Sequence, residues 1–231
     1  MSEFAIRKLK GRLRRLLRPP LHRIDITLPY KFIGSDYGGW PVPNGSLDEN
    51  SIVYSFGVGE DISFDLGVIA TYRSVLHAFD PTPRSLKWIA SQNAPNQFHF
   101  HPIGIAGVDG EVKFYPPAND RHVSFSNAPG KDQTGDSVTA SVLTLDAITK
   151  KLGHRHIDLL KMDIEGFEYA VIENILSTKA RPPTILVEFH HGLYSAANED
   201  TLRAVSLLRK SGYEIFFISD TGREYGFHRR T

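Results

Sequence analysis

The sequence has no cysteine among its 231 residues. A disulfide framework and a thiolate metal site are therefore both excluded. This absence suits a reducing compartment, and we predict a cytoplasmic protein. No apolar run approaches the ~18–20 residues that a membrane-spanning helix needs, and the basic start of the chain is followed by no secretory signal. A bitopic or secreted protein is not expected.

The net charge of the whole chain is also low, at +1, but the charge is distributed unevenly between an N-terminal segment and the rest of the chain. Residues 1–23 carry eight Lys/Arg and one Glu, whereas residues 24–231 carry nineteen Lys/Arg and twenty-five Asp/Glu. The acidic body gives no electrostatic footprint for nucleic acid, which we do not expect as a partner. From the length we predict one domain over residues 24–231, preceded by a basic segment over residues 1–23.

The basic segment is predicted to form an amphipathic helix over residues 4–17, with leucines on one face and Lys/Arg around them. Two interpretations stay open. Residues 1–18 could make a peripheral contact with an anionic membrane surface or an acidic partner. Alternatively, the leucines pack on the domain while the charges remain in water.

The most informative stretch runs from Ser51 to Asp80. An apolar run over residues 51–56 precedes Gly57 and Gly59, residues 61–72 have helical spacing, and a second apolar run ends at Asp80. This order is typical of a nucleotide-binding βαβ unit, in which the glycines let a ligand approach the helix start and the acid binds ribose hydroxyls.

The same stretch lacks the third glycine of a dinucleotide fingerprint, because Ile62 stands there, and no Gly-Lys-Ser/Thr motif follows. We therefore predict S-adenosylmethionine as the cofactor. A third strand is predicted over residues 98–105, and its end should border the adenine. The predicted cofactor-binding residues are Phe56, Gly57, Val58, Gly59, Asp61, Asp80, Pro81, Ile105, Ala106 and Asp163. Trp40, in a turn before the first core strand, could cover this pocket or plug the edge of the core.

A second group of candidate residues follows two later strands. Asp163 ends the apolar run over residues 157–162, and Glu188, His190 and His191 end the run over residues 184–189. Ligands of open parallel sheets bind at the carboxyl ends of the strands, so these side chains should face the cofactor. We predict His190, then Asp163, then Glu188 as the general base, because an imidazole is partly free base at neutral pH. No metal ligand is assigned, although these residues could alternatively hold a divalent cation.

Strands and helices alternate along the chain, and residues 214–228 form a predicted hairpin. The pattern predicts a three-layer α/β fold with a mostly parallel sheet and an antiparallel C-terminal edge strand, which is the Rossmann-like class I methyltransferase fold. The chain resembles the FkbM-type methyltransferases. The stretches that carry the resemblance are YSFGVGEDISFD (54–65), HAFDPTP (77–83), DLLKMDIEGFE (158–168), VEFH (187–190) and TGREYGF (221–227).

The resemblance implies methyl transfer from S-adenosylmethionine to a hydroxyl of a sugar, polyketide or related small metabolite. Gly57 and Gly59 match the cofactor loop and Asp80 the ribose-binding acid. The active-site motif around Lys161, Asp163 and Glu165 adds Lys161 and Glu165 to the catalytic candidates. The alternative function is a non-catalytic protein that binds S-adenosylmethionine or a nucleotide and attaches to a membrane or partner through its basic N-terminus.

Overall fold

The computed structural model describes residues 21–114, 137–178, 181–191 and 198–230. The predicted helix over residues 4–17 lies outside these ranges. In the described ranges, no helix has both the length and the apolar character to cross a membrane.

The described residues form twelve strands and five helices. The strands are β1 Tyr30–Ile33, β2 Trp40–Pro43, β3 Ile52–Phe56, β4 Val75–Phe79, β5 Phe98–His101, β6 Gly104–Ile105, β7 Gly110–Phe114, β8 Val138–Leu143, β9 Leu159–Met162, β10 Thr184–Glu188, β11 Tyr213–Ile218 and β12 Glu224–Arg229. The helices are α1 Ser63–Tyr72, α2 Pro83–Ile89, α3 Leu145–Leu152, α4 Glu168–Ser177 and α5 Asn198–Lys210.

Seven strands build the central sheet in the order β11-β12-β10-β9-β3-β4-β5. The pairs from β10 to β5 are parallel, and β12 is antiparallel to both β10 and β11. This confirms the predicted class I fold. The antiparallel strand is not at the edge, however: β12 lies inside the sheet, and β11 forms the edge.

Helices cover both faces of the sheet. One core cluster joins the inner faces of α3, α4 and α5 to the strands, and a second joins α1 and the β1–β2 hairpin to the opposite face. Because both faces of the sheet are covered, β3, β9 and β10 are buried along almost their whole length rather than at alternate residues. The sheet is thus packed on both faces, and the ends of its strands carry the candidate residues.

The third strand is shorter than predicted. β5 ends at His101, and the next residue, Pro102, has no N–H to donate to a sheet. Gly104 and Ile105 instead pair with β8 in a separate three-stranded sheet of order β6-β8-β7. Ile105 therefore does not end a strand of the central sheet beside β4.

Candidate active site

The two informative stretches meet at the glycine turn that follows β3. Gly57 has a φ of +74°, and a Cβ placed on it would lie 1.6 Å from the carbonyl oxygen of Asp163. The Asp163 amide donates to the carbonyl of Phe56 over 3.1 Å. Since parallel pairing places the ends of β3 and β9 side by side, only a residue without a side chain fits between them.

Gly59 and Asp80 form the next part of the site. The Gly59 amide donates to Asp80 Oδ2 over 3.0 Å, and Asp80 Oδ1 accepts from the amide and hydroxyl of Thr82 at 2.9 and 2.6 Å. A Cβ on Gly59 would meet nothing within 4 Å, so this side of the turn is open. Room beside the turn and a fixed carboxylate next to it fit a bound nucleoside, and Asp80 also holds the turn in place.

Other predicted cofactor residues are placed differently. Phe56, Val58, Ile105 and Ala106 have buried side chains, so a ligand would reach these residues through the backbone. The Phe56 ring stacks on Phe79 with centroids 4.3 Å apart. Pro81 lies between Asp80 and Thr82, the residue that caps the N-terminus of α2.

Asp61 links the glycine turn to the β1–β2 loop. Its carboxylate accepts from the Ser63 amide at 2.8 Å and from the Ser35 hydroxyl at 2.7 Å. Burial raises the pKa of Asp61, but these hydrogen bonds outweigh it, and the pKa is lowered overall. Trp40, at the end of the same loop, is 4% exposed and belongs to the core. The structure therefore supports the interpretation in which Trp40 fills the edge of the core.

Lys161 holds the glycine turn in place through hydrogen bonds from its side chain. Although it lies within β9, its Nζ donates to the carbonyls of Phe56 and Gly57 at 3.2 and 3.0 Å and lies 5.7 Å from the Trp40 ring centroid. Lys161 is 6% exposed. A buried ammonium on two loop carbonyls positions the turn, and this contact describes Lys161 better than direct contact with a methyl acceptor.

His190 is the centre of a carboxylate cluster. Its Nε2 lies 3.1 Å from Glu165, 3.7 Å from Asp163 and 3.9 Å from Glu188. Its Nδ1 lies 3.3 Å from Glu168 Oε1, which also accepts from the His190 amide at 2.8 Å. The structure thus brings together four of the five predicted catalytic residues, with Lys161 directed to the turn instead. His191, by contrast, is not in this cluster.

The electrostatics of this cluster differ from the expectation of a partly free imidazole. Burial alone lowers the pKa of His190, but the hydrogen bond to Glu168 and the charges of the neighbouring carboxylates outweigh it and raise the pKa to about 10. Burial and the charge of Asp163 raise the pKa of Glu188 to about 8. Burial likewise raises the pKa of Asp163, against the opposing charge of Lys161. The raised pKa favours the protonated imidazole of His190 over the free base that is expected to accept a proton.

Two acidic residues near the site had no assigned role in the sequence. Glu168, fully buried in the first turn of α4, orients His190, yet an acid at a helix start is common for dipole reasons alone. Asp65, 2% exposed in α1, has its pKa raised to about 6 by burial, which the charge of Lys161 partly offsets. The one sequence signal for Asp65 is an acid within an otherwise apolar helical stretch.

The sheet order, the open glycine turn and the acids at the strand ends define a class I S-adenosylmethionine-dependent methyltransferase. The sequence matches the family described as the methyltransferase FkbM domain over residues 41–215, and the chain belongs to this family. FkbM methyltransferases use S-adenosylmethionine, which is therefore the cofactor of this protein.

Among solved structures, the chain is similar to Aeropyrum pernix fibrillarin with natively bound S-adenosyl-L-methionine, at 11% identity and a TM-score of 0.45 over 90% of this chain and 84% of that one. It is also similar to M. jannaschii TYW2 in complex with AdoMet, at 10% identity and a TM-score of 0.37 over 90% of each chain. The antibiotic-resistance methyltransferase Kmr is 13% identical, with a TM-score of 0.38 over 87% of this chain and 100% of that one. No curated protein sequence gives a significant match.

Proposed function

We propose that the protein methylates a hydroxyl oxygen of a small metabolite such as a sugar, a polyketide or a related compound. The observation that carries this proposal is the placement of Asp163 and Glu188 at the ends of adjacent strands, beside the open glycine turn. Both carboxylates are partly exposed, at 31% and 20% of their side chains. They can therefore receive hydrogen bonds from an alcohol that stands next to the cofactor.

When bound, S-adenosylmethionine supplies a methyl group on a sulfonium: the acceptor oxygen bonds the methyl carbon, the carbon–sulfur bond breaks, and its electron pair stays on sulfur. The protein contributes alignment, which is most of the requirement for such a displacement. The carboxyl groups of Asp163 and Glu188 both hold the hydroxyl, and Asp163 takes up its proton. His190, 3% exposed and enclosed by carboxylates, positions Asp163 and Glu165 and does not itself reach the acceptor.

The charge of the site also bears on the class of acceptor. Asp163, Glu165 and Glu188 place several carboxylates at the strand ends, and the body of the chain is acidic. A polyanion such as a nucleic acid would be repelled there, whereas a neutral polyol would find hydrogen-bond acceptors. A neutral hydroxylated acceptor is therefore proposed over a nucleic acid.

The test combines calorimetry with transfer of a ¹³C-labelled methyl group. The full chain should bind S-adenosylmethionine and not NAD, and it should transfer the label to members of a panel of sugars and polyketides. The carbon shift of the product should be that of an O-methyl group. Asp163→Asn should lower transfer by roughly 10²–10⁴-fold, whereas Asp146→Asn, on the exposed surface of α3, should not. A label found on nitrogen or carbon would overturn the assignment of the acceptor.

A further inference from the structure

The carboxylate cluster has the composition of a cation site. Asp163, Glu165 and His190 each offer one donor atom, and these three atoms all lie within 4.8 Å of one another. Asp163 and Glu165 follow β9 and His190 follows β10, and the parallel pairing of these strands fixes their spacing. The donor set is preformed on the rigid edge of the sheet.

The imidazole provides an observation independent of the carboxylates. His190 is 3% exposed, and the fully buried Glu168 accepts from both its amide and its ring Nδ1. The other ring nitrogen, Nε2, is therefore the one directed at Asp163 and Glu165. A carboxylate behind a histidine, with the second nitrogen aimed into a group of oxygen donors, is the arrangement that orients histidines in metal centres.

The balance of charge points the same way. Four carboxylates (Asp163, Glu165, Glu168 and Glu188) lie within 4 Å of a single imidazole. The Lys161 ammonium, which lies on the carbonyls of Phe56 and Gly57, offsets part of this charge. The remaining like charges are unfavourable in a half-buried position unless a further cation compensates them. Carboxylate oxygens with one imidazole suit Mg²⁺ or Mn²⁺, which prefer hard ligands and retain bound water.

We propose that Asp163, Glu165 and His190 bind one divalent cation of the Mg²⁺ or Mn²⁺ type through Oδ1, a carboxylate oxygen and Nε2. Glu188, 3.9 Å from Nε2, is placed to hold water bound to the cation. A proton and the cation are alternatives at Nε2, so cation binding releases that proton. Resting on the proposed function, the cation would bind the acceptor hydroxyl and make its proton easier to lose.

The test is Mn²⁺ binding to the full chain after treatment with EDTA, followed by calorimetry and by the loss of the free Mn²⁺ signal in electron paramagnetic resonance. We expect one Mn²⁺ per chain. Glu165→Gln should weaken binding at least about 10-fold, and Glu168→Gln, which removes the buried charge behind His190 Nδ1, should weaken it by about 10–100-fold. The matched controls are Glu173→Gln on the exposed face of α4 and His156→Gln, with 49% and 66% of their side chains exposed, and both should bind like wild type.

Calorimetry with S-adenosylmethionine on the same samples separates the two proposals. A protein that binds S-adenosylmethionine but no Mn²⁺, or whose Glu165→Gln variant binds Mn²⁺ as wild type does, would overturn the cation site and leave the methyltransferase function intact. Normal Mn²⁺ binding with no O-methyl product would instead retain the cation site and remove the proposed function. Circular dichroism on each variant shows whether it is folded when measured.

Discussion

At the scale of single residues, the two glycines of the turn after β3 have different physical roles. Gly57 is required because a Cβ would overlap the backbone of Asp163 at 1.6 Å. Gly59 also has a positive φ, of +54°, but a side chain there would point into open space. One glycine thus allows two strand ends to approach, and the other leaves room for a ligand.

Substitutions should separate these two roles. Gly57→Ala should lose ~3 kcal/mol or more of unfolding free energy, because both backbones would have to shift. Gly59→Ala should lose only ~1 kcal/mol from backbone strain.

Gly59→Arg should abolish S-adenosylmethionine binding while the protein stays folded. Gly153→Arg is the control, since Gly153 ends α3 with a φ of +74° and open space around it. Urea unfolding and calorimetry would measure these effects, and retained binding in Gly59→Arg would contradict the assignment of the cofactor space.

His190 and Glu168 form a buried pair whose loss should cost stability as well as activity. With the protein in EDTA, His190→Gln should lower the unfolding free energy by ~3–5 kcal/mol, because Glu168 is left as a buried charge without its imidazole. The double variant His190→Gln/Glu168→Gln should lose less than the sum of the single variants. A urea-unfolding double-mutant cycle tests this, with His156→Gln as control, and additive losses would show that the two residues are not coupled.

At the scale of elements, a cluster of histidines joins β4 and β5. In the strand order, β3 separates these two strands from β9 and β10, whose ends carry the carboxylates. His77 Nδ1 lies 2.9 Å from His101 Nε2, and the His77 ring stacks on His99 with centroids 5.0 Å apart. His154 lies 2.6 Å from the Tyr54 hydroxyl and 4.7 Å, ring to ring, from His77. Burial lowers the pKa of His77 to about 3, with further lowering from His154, His101 and His99. Burial also lowers the pKa values of His101 and His154, so these two histidines and His77 stay neutral where an isolated histidine gains a proton.

The cluster should make the central sheet sensitive to acid. In the unfolded chain His77 protonates near pH ~6.5, so its contribution to stability is complete above that pH and is lost as the pH falls toward the folded value of about 3. Urea unfolding at pH 7.5 and pH 5.0 should show a smaller loss for His77→Asn than for wild type. His156→Asn, which changes an exposed histidine, should behave as wild type does. An equal loss in His77→Asn and wild type would show that the cluster does not govern acid stability.

At the scale of the whole molecule, the chain that leads out of the basic segment is fixed to the edge of the sheet. The Asp25 carboxylate pairs with Arg209 at 2.7 Å and accepts from the Ile215 amide at 2.9 Å, and the amides of Asp25 and Ile26 donate to the Ile215 carbonyl. Nearby, Tyr30 and Phe32 pack against Phe217 but remain 43% and 51% exposed. Asp25 and Ile26 thus hold the start of the described chain at a defined place on β11.

Truncation should distinguish the two interpretations of the basic segment. If residues 1–18 are a surface anchor, the full chain should float with anionic liposomes at low salt and detach as salt rises, because the Debye length shortens. A chain lacking residues 1–20 should not float, yet should keep the wild-type melting temperature and affinity for S-adenosylmethionine. A chain lacking residues 1–28 also loses the Asp25 contacts and should melt at a lower temperature. A truncation at residue 20 that prevents folding would favour the packed-helix interpretation.

The amino-acid sequence by itself determined the family, the cofactor and the class of fold. The apolar runs ending in Asp80, Asp163 and Glu188 predict parallel strands, and parallel strands necessarily bring their carboxyl ends to one edge. Gly57 and Gly59 mark the turn through a local conformational requirement that is visible without any partner. These signals act over a few residues, which is why they can be read from one sequence.

Tertiary structure decided how the side chains at that edge are used. The contacts of Glu168 with His190 and of Lys161 with Gly57 join residues far apart in sequence, and their direction depends on strand register and on the packing of α4. The buried face of α1 also depends on tertiary packing. Apolar residues lie on several sides of this helix, so the sequence pattern does not single out one face, and the folded chain buries Asp65 and leaves Ala70 exposed. Local pattern fixes which element forms, whereas the charge state and orientation of a buried side chain depend on neighbours that only the folded chain brings together.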